Sequence, residues 1–186
     1  MEVSVPVETV EEIRRARLAR ARAAALLLEL HPEEDEIPLS WPQLLMVPEW
    51  CFWEEPRRKH LVLVAGALFV SPAMRLWIDA DRIRQARILL GEAAFEAILA
   101  SEVAPKDLLR VPKEECLESI FSSAGESVLL SSLEPSLQHH CRFILGKNAD
   151  MIPQPVATLL ANEAMAVQQK VQQDKDVDDG APGRKE

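Results

Sequence analysis

The stretch LVLVAGALFVSPAMRLWI, residues 61–78, decides how the rest of the chain is read. Its first ten residues are apolar or glycine, and such a run is a membrane span, a buried strand or a buried helix. A span needs roughly 20 apolar residues, so this run is too short to cross a bilayer. A strand needs partners, and the chain offers only one other short strand-like run, SVLLSS at 127–132. Upstream, Pro56 suits a first helical position, and Glu54 and Glu55 stand where the positive end of a helix favours carboxylates. The run therefore predicts a central helix, apolar on nearly all sides and enclosed by other helices. It is expected to stop at Ser71-Pro72.

Downstream, Pro72 is read as opening a second short helix through Ile78, and Asp79 as the cap of a third, in which Ile83, Ala86 and Leu90 recur at helical spacing. Gly91 ends that helix, and Ala94, Phe95, Ile98 and Leu99 mark the inner face of the next. Pro112 opens a helix with Leu117, Ile120, Phe121 and Ala124 inward, ending before Gly125. Pro135 opens another, with Leu137, Cys141 and Ile144 inward and Gly146 as its stop. A last helix is expected over 154–172 with Val156, Leu159, Leu160, Ala164 and Val167 inward. Residues 173–186, QDKDVDDGAPGRKE, lack the apolar content to fold and are expected to form a disordered tail. The fold class that follows is all-α, an irregular bundle of short helices around a central apolar helix, with the core over 56–172.

Two further segments precede the core. Residues 1–30 contain a helix, 8–30, rich in Ala, Leu, Arg and Glu, whose arginines spread around the circumference as on a solvated, salt-bridged surface. Its RRARLARARAAALLL imitates the start of a signal peptide, but Glu11, Glu12 and Glu29 and the HPEEDE that follows spoil the imitation. Residues 31–55 are rich in proline and acid, without lysine or arginine, and hold Trp41, Trp50 and Trp53. Proline fixes φ and removes donors, so this is an extended connector with at most a short turn around 43–47, and the tryptophans are expected to clamp it on the core.

With 186 residues, 48% of them hydrophobic, the chain can bury a core without disulfide or metal staples. A net charge of −9 argues against nucleic-acid binding, which needs a basic surface to displace counterions. Cys51, Cys116 and Cys141 lack CxxC spacing and are odd in number, which suits a reducing, cytoplasmic compartment. His139, His140 and Cys141 are the one cluster of metal-ligand type. Neighbours on a helix point about 100° apart and cannot converge on one ion, so the reading is structural. No GxSxG, GxGxxG or GxxxxGK[ST] motif occurs, and no catalytic residue, metal or cofactor is assigned.

The order of features in LVLVAGALFVSPAMRLWIDADRIRQARILLGEAAFEAIL carries a resemblance. An apolar helix with Gly66 is followed by Ser71-Pro72, Arg75, the pair Trp77-Ile78, an amphipathic helix and then Gly91. Together with the upstream WPQLLMVPEW, residues 41–99 resemble the type III secretion sorting-platform adaptor family, the SctK group. The resemblance implies a non-catalytic, mainly helical cytoplasmic protein at the inner-membrane base of the injectisome. There it bridges the cytoplasmic domain of the inner-membrane ring protein to the pod protein that carries the export ATPase, without entering the membrane. Structural weight is expected at Trp41, Trp50, Trp53, Gly66, Pro72, Arg75 and Gly91.

Two surfaces of opposite sign are the candidates for partner binding: the acidic Glu33, Glu34, Asp35 and Glu36, and the arginine face Arg82, Arg84 and Arg87. The competing readings are a type III secretion chaperone or other helical interaction module, and a metal-dependent helical enzyme. A chaperone of that kind would show a sheet-forming pattern, and an enzyme of the second kind would carry a stoichiometric metal.

Overall fold

The computed structural model describes residues 43, 46–103, 105, 115–145 and 150–179, with the side chains of 139, 140, 142–144 and 174–179 outside that description. Among the described residues there are six α-helices and no strand: α1 (Glu55–Met74), α2 (Ala80–Leu90), α3 (Glu92–Ala100), α4 (Leu117–Ser132), α5 (Pro135–Leu145) and α6 (Gln154–Asp179). A single 3-10 turn, Glu49–Phe52, precedes them. This is the all-α class that the patterning predicts. Helix α1 packs chiefly on α4, and both pack on α6, while α3 closes against α1 and α6 and α5 lies on α4. Leu61, Val64, Ala65, Ala67 and Leu68 are wholly enclosed, so α1 is the central helix.

Glycine sets how close α1 and α4 come. A Cβ placed on Gly66 would lie 2.7 Å from the Phe121 carbonyl carbon and closer still to its oxygen. One placed on Gly125 would meet the Val62 carbonyl in the same way, at 2.7 Å from its carbon. Gly66 and Gly125 therefore face each other's helix across a backbone-to-backbone contact that no side chain fits. Gly125 was expected to follow the end of a helix. It lies in the middle of α4 instead, and the helix continues through the SVLLSS run with Ser127, Val128, Leu129, Leu130 and Ser131 buried. The packing at the crossing outweighs the intrinsic cost of a mid-helix glycine, about 1 kcal/mol. The same helix begins at Leu117, with Pro112 outside the described residues.

Pro72 likewise does not start a new helix. It sits in the last turn of α1, which runs on to Met74, and residues 75–79 form turn and extended backbone. The lost donor is one that would have met the Leu68 carbonyl. Met74 continues the buried stripe of Ala67, Val70 and Ser71, and this burial carries the helix past the proline. The chain then unwinds through hydrogen bonds from Arg75 N–H to Ser71 O (3.0 Å), Leu76 N–H to Ala73 O (3.0 Å) and Trp77 N–H to Met74 O (3.1 Å).

Asp79 caps α2 as its spacing predicts, its side chain accepting from the N–H groups of Asp81 (3.0 Å) and Arg82 (3.4 Å). Gly91 separates α2 from α3 with φ +79° and ψ 153°, a region open essentially to glycine alone. Helix α6 departs from expectation twice. Leu159 is 60% exposed, because the inward positions are Ala157, Leu160, Ala161, Ala164, Val167 and Gln168, a register into which Leu159 does not fall. The helix also extends to Asp179, through part of the expected tail. A helix already anchored by packed turns adds a hydrogen bond for each further residue, so it needs no apolar content of its own to continue.

Gln43 is helical and accepts from the Met46 N–H at 3.0 Å, in the place where a short turn is expected. Residues 1–42, which hold the helix expected over 8–30 and Trp41, lie outside the described residues, as do Gly146 and residues 180–186.

Candidate interaction surface

Helices α2 and α3 run out and back along α1, with the α2–α3 junction beside His60 near the start of α1 and the end of α3 returning to Arg75 at its end. Arg75, just past α1, donates through Nη2 to the Ser101 carbonyl at the end of α3. His60 Nε2 donates to the Leu90 carbonyl (3.0 Å), which fastens the last residue of α2 to α1. Arg87 bridges the junction, paired with Glu92 (2.7 Å) and lying 5.1 Å over the Phe95 ring. The α2–α3 pair is thus fastened to both ends of α1.

Two large apolar groups stand in solvent in the loop between α1 and α2, and a third on α2 towards its junction with α3. Leu76 is 68% exposed, Ile78 99% and Ile88, on α2, 75%, while the half-buried Trp77 has the Arg82 guanidinium 4.7 Å above its ring. Ile78 stands immediately before the Asp79 cap, the position from which an apolar residue commonly packs on the fourth helical residue. Here that fourth residue, Ile83, packs on the core while Ile78 stays in solvent.

Of the arginines predicted to form one face, Arg84 and Arg87 are exposed and Arg82 is half-buried, about 200° around the helix from Arg84, and each has local company. Arg84 pairs with Asp81 (3.1 Å), Arg87 with Glu92, and Arg82 stacks on Trp77. The sequence reading missed Leu76, Ile78 and Ile88 as surface groups because it placed a helix over the first two. The one legible signal was Ile88, which follows Asp81, Arg84 and Gln85 on the charged side of α2. Glu33, Glu34, Asp35 and Glu36 lie outside the described residues, so the acidic candidate is not brought to any element.

A second concavity, of about 290 Å³, lies between α1 and α4 near the end of α5, lined by Glu55, Arg58, Lys59, Glu118, Ser122 and Glu126 among others. Glu118, Ser122 and Glu126 recur every four residues and so share one face of α4. Burial pushes the Glu126 carboxyl above the ordinary carboxylate range. Glu55 is held below that range by its hydrogen bond and attraction to Lys59, at 2.6 Å. The groove is of mixed charge, and no nucleophile is paired with a base in it.

The tryptophan turn is seated on the core. Trp50 and Trp53 are buried, Arg57 lies 3.7 Å over the Trp53 ring, and Arg58 Nη1 donates to the Trp53 carbonyl (3.2 Å). Gln168 of α6 donates to the Arg57 carbonyl (3.1 Å), which draws α6 to the same place. Cys141 is buried on α5, and the side chains of His139 and His140 are outside the description. Among the described residues, no three His, Cys, Asp or Glu side chains gather as metal ligands, and no helix is long and apolar enough to cross a membrane.

In comparisons with family models, with curated proteins and with solved structures, nothing matches this chain.

Proposed function

We propose that this chain is a non-catalytic cytoplasmic adaptor of a type III secretion machine, joining the inner-membrane ring protein's cytoplasmic domain to the pod protein that carries the export ATPase. The observation that carries the reading is the exposure of Leu76 and Ile78 in the loop between α1 and α2, inside the stretch that resembles the sorting-platform adaptors. Isolated surface leucines and isoleucines are ordinary, but two within three residues, on either side of Trp77 with its Arg82 guanidinium, offer an apolar centre with a charged rim. In such an interface the centre supplies affinity and the rim supplies rate and partner choice.

This arrangement changes the role given to the arginines. With Asp81 and Glu92 already beside Arg84 and Arg87, the face is close to neutral and its attraction to an acidic partner is short in range. Leu76 and Ile78 are the anchors, and Arg82, Arg84 and Arg87 set orientation. Six helices without a strand among the described residues favour the adaptor over a sheet-forming chaperone.

The test is co-purification of the chain with the ring protein's cytoplasmic domain and with the pod protein, followed by secretion in a strain deleted for the chain. Leu76→Asp with Ile78→Asp is expected to abolish capture of one component and leave the other and the helical circular dichroism unchanged. Reversing Arg82, Arg84 and Arg87 to glutamate is expected to slow association and flatten its salt dependence. Recovery of neither component by the wild-type chain, with normal secretion in its absence, removes the proposal.

A further inference from the structure

Helix α6 has a second stripe that the bundle does not use. On the far side from Ala157 and Ala164, which are wholly enclosed, stand Pro155, Leu159, Asn162, Ala166, Gln169 and Gln173, all of them exposed. They recur at alternating steps of four and three residues, the spacing of a coiled-coil seam, and none of them is charged. The exposed residues of α2, by contrast, include Asp81, Arg84 and Arg87. The seam runs for about 27 Å at the rise of an α-helix. Charge stands only along one edge of it, where Glu163 is half-buried and Lys170 exposed. Neither belongs to an ion pair among the described residues.

We propose that this seam is a self-association surface, covered by α6 of a second copy of the chain running antiparallel across a two-fold axis near Ala166. The charges select the occupant and its direction. Glu163 lies three residues before Ala166 and Lys170 four after it. In an antiparallel pair Glu163 of each copy therefore faces Lys170 of the other, and the two-fold makes the match twice. A parallel pair leaves both charges unmatched. It also brings two acidic helix ends together, since residues 174–179 hold four aspartates and one lysine, and like charges placed side by side reject a partner.

The seam itself suits a copy of its own sequence. Ala166 has the smallest side chain in it, so the two helices come closest where they cross. Asn162, Gln169 and Gln173 are amides, each both donor and acceptor, so the amides of one copy satisfy those of the other. Polar groups on such a seam fix register at a cost in stability, and Leu159, 60% exposed, is its one large apolar group. A contact of this length belongs at the weak end of specific interfaces. It uses none of the residues assigned above to the secretion partners.

The experiment is sedimentation equilibrium of the full chain from about 5 to about 500 µM, which should show monomer and dimer in exchange. Ala166→Glu, with unchanged helical circular dichroism, should leave a monomer at every concentration. Glu163→Lys and Lys170→Glu should each raise the dissociation constant about tenfold, and the two together should return it to within about threefold of the starting value. Leu159→Cys and Gln173→Cys chains, both carrying Cys116→Ser, should cross-link when mixed and not when each is alone. A monomer throughout, a dimer that Ala166→Glu leaves intact, a double reversal that fails to restore pairing, or Leu159→Cys cross-linking with itself and not with Gln173→Cys would each overturn the proposal. A monomer whose capture of the ring or pod protein is lost in Ala166→Glu would give the seam to that partner, and the proposal would fall with it.

Discussion

The crossing of α1 and α4 and the junction of α2 with α3 both depend on glycine, for opposite reasons. At the crossing, Gly66 and Gly125 have ordinary helical backbone and no space, since a methyl group on either would enter the partner helix's carbonyl. At the junction, Gly91 has nothing within 4 Å of where its Cβ would be, but its φ of +79° excludes side chains. One region is held by contact and the other by conformation. The first transmits any added atom into the core, whereas the second concentrates its cost in a single residue.

Substitutions sharpen that difference, beginning with the greatest expected loss. Phe121→Ala removes a wholly buried ring beside the crossing and should cost about 3–5 kcal/mol in urea unfolding. Such a loss is comparable with much of the stability of a typical domain, about 5–15 kcal/mol. Gly66→Ala should cost about 3 kcal/mol, the upper part of the overpacking range, because the obstacle is backbone and cannot rotate away. Combining it with Gly125→Ala should cost less than the sum, since the first methyl already separates the helices. Equal and additive losses would show that the two glycines do not share one contact.

Gly91→Ala should cost about 2 kcal/mol, from strain at that residue alone. It should add independently to Gly66→Ala in a double mutant, and coupling between them would break the distinction between the regions. Asp79→Ala removes the two cap bonds of α2 and should cost about 1 kcal/mol. The smallest effect is expected from Arg84→Ala, under about 0.5 kcal/mol, because the Arg84–Asp81 pair is exposed on both sides. A larger value would mean that α2 depends on its surface charges more than on Ala86 and Leu90.

The sequence by itself determined the helical class, because apolar spacing and helix signals are local. Asp79 as a cap, Gly91 as a stop and Pro135 as a start are legible from a residue and its near neighbours. The apolar run at 61–70 also announces its own burial, having no polar face to turn outward. Tertiary structure decided wherever a local signal competed with packing. Pro72 signals an end that Met74's burial overrides, Gly125 signals a stop where α1 comes closest, and Leu159 looks inward until the register of α6 is set by α1 and α4. The exposure of Leu76 and Ile78 belongs to the same class. Each depends on residues distant in sequence becoming neighbours, or failing to. A one-dimensional pattern records what a side chain is, and only the folded chain determines what lies beside it.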